Sequence, residues 1–436
     1  MSNKVLLIGL QKSGYAALAL LEKEGYDITI TVNNELSDDE KTSLSKYRVF
    51  DGEHPLHLLD EEWAFIVKNP GIPYRIPFIK EAMKRNIKII TEVELAYNCS
   101  ENTILGITGT NGKTTVTTLI YDIVKEYYSN TYLAGNIGYP YSDVVLEHDK
   151  DNYIIFELSS FQLMGTENFR PHIATILNLA PDHLDYMESL ESYYESKLLI
   201  YKNQTEKDYF ILNLDDSVVN EYVSDLKAQV ITFSLKQDAD VMLRNNSILF
   251  MDEKIIELSD IKLVGDHNIS NIMVAIAYSK LIGVSNEVIR KVIMEFNGVE
   301  YRLQQVPSKF NNTYFNDSKS TSADSTLTAI KALSKLDDVI LIMGGHDKGL
   351  DYTDLFKEID SMDNIESLMF FGANKEILSK YSDKIHLVFD NLYDVMDYIN
   401  STYQDKNILF SPGTSSYDQY QSYEKRGEDF NKLIKG

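Results

Sequence analysis

The segment Thr108-Gly109-Thr110-Asn111-Gly112-Lys113-Thr114-Thr115 constrains this chain more than any other. It follows the apolar run TILGIT, which starts at Thr103, and precedes a helical pattern from about Lys113. A Gly-rich loop between a buried strand and a helix demands a parallel α/β layer. Its backbone N–H groups and the helix N-terminus can then cradle phosphate oxygens. A Lys neutralises the outer phosphates, and a hydroxyl at the next position suits Mg²⁺. Gly109, Thr110, Asn111, Gly112, Lys113, Thr114 and Thr115 are therefore candidate nucleotide-phosphate contacts. The first Gly of the usual phosphate-loop pattern would fall at Ile107, so the alternative is an unrelated Gly-rich turn opening a helix.

The same strand-then-helix rhythm runs along the whole chain. Lys4–Leu10, Ile28–Val32 and Trp63–Val67 read as strands of a first unit, with a helix between Tyr15 and Lys23. The second unit adds strands at Tyr153–Phe156, Ala174–Leu177 and Tyr209–Leu212. From Asp240 to Leu258 the pattern turns short and alternating, predicting a small antiparallel patch with Asn245-Asn246 as its turn. A helix from about Asn268 to Ile282 closes that unit, and strands at 339–343, 367–371, 386–389 and 407–410 form a third. At roughly 150 residues per domain, 436 residues suit three α/β domains in series, 1–93, 94–297 and 298–436.

Charge and cysteine content narrow the function classes. Lys and Arg total 42 against 66 Asp and Glu, a net charge of −24. That field repels a nucleic-acid backbone, and no basic stripe offsets it. Any phosphate ligand must therefore be met by locally gathered cations, metal ions or amides. The lone Cys99 cannot form an intrachain disulfide, which suits a reducing compartment. No apolar stretch nears the ~18 residues of a membrane span, and MSNKVLLIGLQKSG reads as a first strand rather than a signal peptide. The expectation is a soluble cytoplasmic protein.

Other segments carry polar residues at strand ends. Gly9–Gly14 (GLQKSG) follows the first strand, but Gln11 stands where a dinucleotide fingerprint needs Gly, and Asn33-Asn34 where it needs an acid. A phosphate-bearing ligand and a plain tight turn both remain open there. Glu157 directly follows the strand YIIF, well placed for Mg²⁺ unless it is a solvated loop residue. His183 lies in NLAPDH, again after a strand. Lys197 sits on the helix-like run ESYYESKLLIYKN, where a solvated face is the plain reading. Asn268 and Asn271 share a helix face at i, i+3. NDSKST (316–321) and GGHDKG (344–349) are polar loops of the third unit, each compatible with ordinary turn chemistry.

Taken in order, TGTNGKTT, ELSSFQL, NLAPDHLD with the downstream ESK, GDHNISN, YRLQ, NDSKST, GGHDKG and SPGTSSYDQY resemble the ATP-dependent Mur ligases of peptidoglycan synthesis. The resemblance covers essentially the whole chain. It is nearest to the branch that adds D-glutamate to UDP-N-acetylmuramoyl-L-alanine. It implies a Rossmann-like N-terminal domain for the UDP substrate, a central P-loop-type ATPase domain, and a Rossmann-like C-terminal domain for the amino acid. ATP and two Mg²⁺ sites are implied, with a monomeric enzyme working on small molecules. By the same resemblance Thr114 and Glu157 hold one Mg²⁺, and His183 and Lys197, the latter as a carbamate, hold the other. Lys113, Glu157, His183, Lys197 and Lys319 are implied as catalytic. Asn268, Asn271, Arg302 and Asp317 are implied around ATP. Lys12, Ser13, Asn33, Asn34, Asn136 and Ser159 would meet the UDP substrate. Thr321, Lys348, Ser416 and Tyr423 would meet D-glutamate. A nucleotide-dependent switch would have no use for the His183 and Lys197 pair, and a folate-type ligase would lack the first α/β unit.

Overall fold

The computed structural model describes residues 2–181, 187, 189–346, 349 and 351–435. Three sheets follow one another along the chain. The first holds β1 (Lys4–Ile8), β2 (Asp27–Thr31), β3 (Arg48–Phe50), β4 (Phe65–Lys68) and β5 (Ile89–Ile90) in the order β3-β2-β1-β4-β5, all parallel. The run KVLLI is apolar because a parallel strand is covered on both faces; Val5 through Ile8 are fully buried.

The second sheet comprises β6 (Glu101–Thr108), β7 (Thr131–Gly135), β8 (Lys150–Glu157), β9 (Ile173–Ile176), β10 (Tyr209–Asn213), β11 (Gln229–Ser234), β12 (Val241–Arg244), β13 (Ser247–Phe250) and β14 (Glu253–Glu257). Their order is β14-β13-β12-β11-β10-β9-β6-β8-β7. It is parallel except for the β12-β13-β14 meander, as the alternating pattern predicts. Asn245 and Asn246 form its turn with φ of 51° and 56°, the left-handed pair that a two-residue hairpin requires. The third sheet is β15 (Gln304–Val306), β16 (Thr313–Asn316), β17 (Val339–Gly344), β18 (Ile365–Phe371), β19 (His386–Val388) and β20 (Asn407–Phe410), ordered β15-β16-β20-β17-β18-β19 with only the β15 edge antiparallel.

The expected α/β class holds, and each sheet falls within one of the three expected spans. Compactness divides the chain differently. One unit takes Met1–Leu258 with Ser270–Ile293, the other Ser259–Ile269 with Met294–Gly436. The first two sheets thus belong together. Helices Lys12–Lys23, Glu92–Asn98 and Tyr141–Glu147 pack on one another, and one apolar cluster runs from Val5 and Leu20 through Val93 to Ile154 and Phe156. Glu94 is buried in this seam and accepts the backbone N–H groups of Glu167 (2.9 Å), Asn168 (2.8 Å) and Phe169 (3.0 Å). Glu92 accepts the N–H of Ser142, and burial lifts its carboxyl to about 7. Among the described residues no helix is long and apolar enough to cross a membrane.

Candidate active site

Register builds the site in the first unit. β6 lies between β8 and β9, with Ile107 beside Glu157 and Thr108 beside Ile176; β7 places Gly135 beside Glu157. Because all four strands are parallel, their C-terminal ends deliver Gly109, Asn136, Glu157 and Asn178 to one edge. The helix Lys113–Tyr127 springs from this edge, with Val116, Leu119, Ile120, Ile123 and Val124 buried at helical spacing.

The loop before that helix is braced from several sides. Thr110 N–H donates to Asn178 O (3.0 Å), and Asn111 exchanges bonds with the Asn178 side chain at 2.8 and 3.0 Å. Thr110 Oγ1 accepts from Ala180 N–H at 3.0 Å. Gly112 caps the helix at φ 83°, and a Cβ there would lie 2.8 Å from Asn271 Oδ1. Only glycine combines that φ with so close a neighbour. Thr114 is buried in the first turn.

Two ammonium groups share one acceptor in this loop. Lys113 Nζ donates to Gly109 O and Thr110 O, each at 2.8 Å. Lys197 Nζ donates to the same Gly109 O at 2.9 Å and lies 4.5 Å from the Tyr193 ring centroid. The solvated-face reading of Lys197 is overturned, since the residue is 1% exposed. Its helix, Leu190–Leu198, turns Tyr193, Tyr194, Ser196 and Lys197 inward, and i, i+4 spacing puts the ring under the ammonium. A chain of net charge −24 therefore gathers positive charge at its phosphate-loop candidate.

Glu157, also 1% exposed, faces the same edge. Its Oε1 accepts from Asn136 Nδ2 at 2.7 Å, while the buried Oε2 has no hydrogen-bond partner among the described residues. An unsatisfied buried carboxylate oxygen is costly, and a hard divalent cation is the group that satisfies it best. Glu157 and the Thr114 hydroxyl are oxygen donors suited to Mg²⁺. Among the described residues no cluster of three His, Cys, Asp or Glu gathers for a metal. His183 lies outside the described residues. Ser159 caps the short helix Ser160–Leu163 in a reciprocal pair with Gln162.

The first sheet carries a cavity of about 750 Å³ at the C-terminal ends of its strands. Gly9, Gln11, Asn33, Asn34, Asn69 and Ile72 are among its lining residues. Gly9–Gly14 is a tight strand-to-helix turn: a Cβ on Gly14 would meet Gly9 O at 2.2 Å. Ser13 Oγ accepts from Asn69 Nδ2 at 3.1 Å. Lys12 does not line the cavity; its Nζ donates to Gly138 O at 2.9 Å.

In the second unit, Asp317 is buried after β16 and knits its loop. Oδ1 accepts Leu303 N–H (3.0 Å), and Oδ2 accepts the hydroxyls of Ser411 (2.7 Å) and Ser320. Burial raises its carboxyl to about 6. Arg302 stands between Tyr301 and Leu303, both at positive φ (62° and 45°). Lys319 Nζ lies 4.0 Å from the Tyr423 ring centroid. Ser416 is buried, Thr321 partly so, and Lys348 lies outside the described residues. Asn268 belongs to this unit, its side chain donating to Val264 O at 2.7 Å, whereas Asn271 belongs to the first. Arg426, absent from the sequence-based candidates, is fully buried and ties the loop after β16 to the loop after β20. It donates to Ser318 Oγ (3.1 Å), Ser318 O (2.9 Å) and Thr414 O (3.0 Å).

Known proteins match this chain in sequence and in fold. Residues 107–279 match the Mur ligase middle domain. A UDP-N-acetylmuramoylalanine–D-glutamate ligase of Streptococcus mutans is 40% identical over 446 aligned positions, covering 100% of this chain and 97% of that protein. Its counterpart in Staphylococcus aureus is 41% identical, covering 98% and 96%. Among solved structures, the MurF ligase of Thermotoga maritima in complex with ADP aligns with a TM-score of 0.62 at 16% identity, covering 98% of this chain and 94% of that one. The UDP-N-acetylmuramate-alanine ligase of the same organism gives 0.56 at 18%, covering 98% and 99%. The structural matches speak for the fold.

Proposed function

This chain belongs to the family of UDP-N-acetylmuramoylalanine–D-glutamate ligases, and we propose from that premise how its residues carry the reaction. It is an ATP-dependent ligase that adds D-glutamate to UDP-N-acetylmuramoyl-L-alanine in peptidoglycan precursor synthesis. The observation that carries the residue assignment is the convergence of Lys113 and Lys197 on the Gly109 carbonyl, at the edge that presents Glu157.

The alanyl carboxylate of the substrate attacks the γ-phosphorus of ATP, the bond to the β-phosphate oxygen breaks, and an acyl phosphate and ADP result. The D-glutamate amine then attacks the acyl carbon, loses a proton, and inorganic phosphate departs with the C–O bond electrons. Anion meets anion in the first step, so charge neutralisation and positioning dominate. Lys113 and the amides at the helix N-terminus, Gly112–Thr115, receive the phosphates. Thr114 and Glu157 would hold Mg²⁺, which supplies Lewis-acid neutralisation of the phosphate oxygens. Asn136 orients Glu157 by holding its other oxygen.

Lys197 takes up CO₂: its ammonium first releases a proton, the neutral amine bonds the carbon, a second proton leaves, and a cation becomes an anion with two oxygens. An ordinary Lys, with a pKa of ~10.4, repels a metal that its carbamate would bind. Lys197 and His183 would form the second Mg²⁺ site. Asn33, Asn34, Ser13, Lys12, Asn136 and Ser159 serve the UDP substrate, and Asn268, Asn271, Arg302 and Asp317 serve ATP. Lys319 assists transfer, while Thr321, Lys348, Ser416 and Tyr423 hold D-glutamate. The enzyme works as a cytoplasmic monomer.

The test is phosphate release by the purified protein with ATP, UDP-N-acetylmuramoyl-L-alanine and, in turn, D-glutamate, L-glutamate or L-alanine. Release is expected with D-glutamate alone, abolished by excess EDTA and restored by Mg²⁺. Release independent of D-glutamate would refute the reading.

A further inference from the structure

β4 reads FIVK, and the lysine ending this apolar strand is 0% exposed. The following turn, Asn69-Pro70-Gly71-Ile72-Pro73, curls around its ammonium. Lys68 Nζ donates to Asn69 O (3.0 Å), Pro70 O (3.4 Å) and Ile72 O (2.8 Å), and lies 4.5 Å from the Tyr74 ring centroid. Every proton of the ammonium thus finds an oxygen, all from one turn.

Stability alone does not explain a cation here. Burial lowers its pKa to about 7, the mark of a charge held at a cost. A methionine of similar length would remove that cost but would leave the three carbonyls without their common donor. What the charge supplies is shape, because three carbonyls drawn to one point fix the turn.

The turn walls the 750 Å³ cavity with Asn69, Gly71, Ile72 and Pro73. It has no spare amide to offer a ligand. Asn69 N–H donates to Ile8 O (2.9 Å), Gly71 N–H to Asn69 Oδ1 (3.1 Å), and Ile72 N–H to Asn69 O (3.0 Å), while both prolines lack an N–H. A wall whose own amides are already engaged relies on its position to serve a ligand, and that position depends on Lys68.

We infer that Lys68 is a positioning residue for the UDP substrate, acting through the Asn69–Pro73 wall rather than by touching the ligand. This rests on the cavity being the substrate site, as proposed above. The experiment measures steady-state turnover of Lys68→Met, Lys68→Gln and Lys68→Arg against each substrate. Lys68→Met should raise KM for UDP-N-acetylmuramoyl-L-alanine at least tenfold, leaving kcat within twofold and KM for ATP unchanged. Lys68→Gln, which keeps two donors, should fall between, and Lys68→Arg should recover most of the affinity. Unchanged KM in the Met variant overturns the inference, as does an equal loss in kcat and in both KM values. If the Met variant does not fold, the Gln variant decides by the same split. Wild-type protein that does not saturate with the UDP substrate would instead sink the functional reading, and this inference with it.

Discussion

Lys197→Met separates charge from packing at the phosphate loop. Lys113 and Lys197 both donate to Gly109 O, at 2.8 and 2.9 Å. Two cations bonded to one acceptor at those lengths lie no more than 5.7 Å apart and repel by roughly 3 kcal/mol at an effective dielectric constant of ~20. Methionine keeps the length of the side chain and removes that repulsion. It also removes a charge-assisted hydrogen bond of about 1.5–3 kcal/mol and a cation–π contact of about 1–2 kcal/mol. These terms nearly cancel, so the folded state should change by no more than about 2 kcal/mol, and Gly109 O keeps Lys113 as a donor. Catalysis has no such compensation, because methionine cannot take up CO₂ and become an anion. A thousandfold loss of kcat corresponds to about 4 kcal/mol of transition-state stabilisation, and at least that loss is expected. The assay is phosphate release at saturating substrates, with thermal melts of both proteins. A variant melting within a few degrees of wild type and retaining more than a tenth of its turnover would refute the assignment.

Gly112→Ala forces an L side chain to φ 83° and sets its Cβ 2.8 Å from Asn271 Oδ1; a loss of about 1–3 kcal/mol in stability and a raised KM for ATP are expected in denaturant titration and kinetics. Arg426→Met leaves the carbonyls of Ser318 and Thr414 without their buried donor, at about 1–3 kcal/mol each; calorimetry should show earlier melting, and KM for D-glutamate should rise. Glu92, lifted to about 7 from 4.5, keeps a proton in the folded state that the unfolded chain has already released. Its contribution to stability therefore falls as pH rises from 4.5 to 7, by at most about 1.4 kcal/mol per pH unit. Urea unfolding at pH 5, 6 and 7 should show Glu92→Gln losing less stability than wild type over that range, and parallel pH profiles would contradict the assignment.

Much of this was legible in the sequence because long apolar runs and Gly-rich turns are local signals. KVLLI, TILGIT, YIIF and the 339–343 run all became buried parallel strands close to their expected limits. The short strands β3, β5, β7, β11, β15 and β16 were not anticipated; β3, β5 and β15 span only two or three residues, too few for a period. β4 begins two residues later than expected, at Phe65, and takes in Lys68. The burial of Lys197 leaves no local sign, because ESYYESKLL is largely polar on either side of its Tyr pair and the burial depends on a loop 88 residues away. Asn178 braces Asn111 from a segment in which the sequence points only to the histidine. Arg426 left no local trace at all. Lys68 did leave one, a lysine inside an apolar strand before Asn-Pro-Gly.

The seam around Glu92 and Glu94 bears on how such a chain can be cut. The N-terminal sheet has the strand order of a self-sufficient nucleotide-binding module, yet Val93, Leu95 and Ala96 belong to the same apolar cluster as Ile154 and Phe156. A fragment ending near residue 98 would leave that face bare, and a fragment starting near 99 would leave the N–H groups of Glu167, Asn168 and Phe169 without their carboxylate. Neither piece inherits a finished surface. Grafting a foreign N-terminal sheet onto the phosphate loop of this protein would therefore require the helix Glu92–Asn98 to travel with the recipient, its two glutamates included.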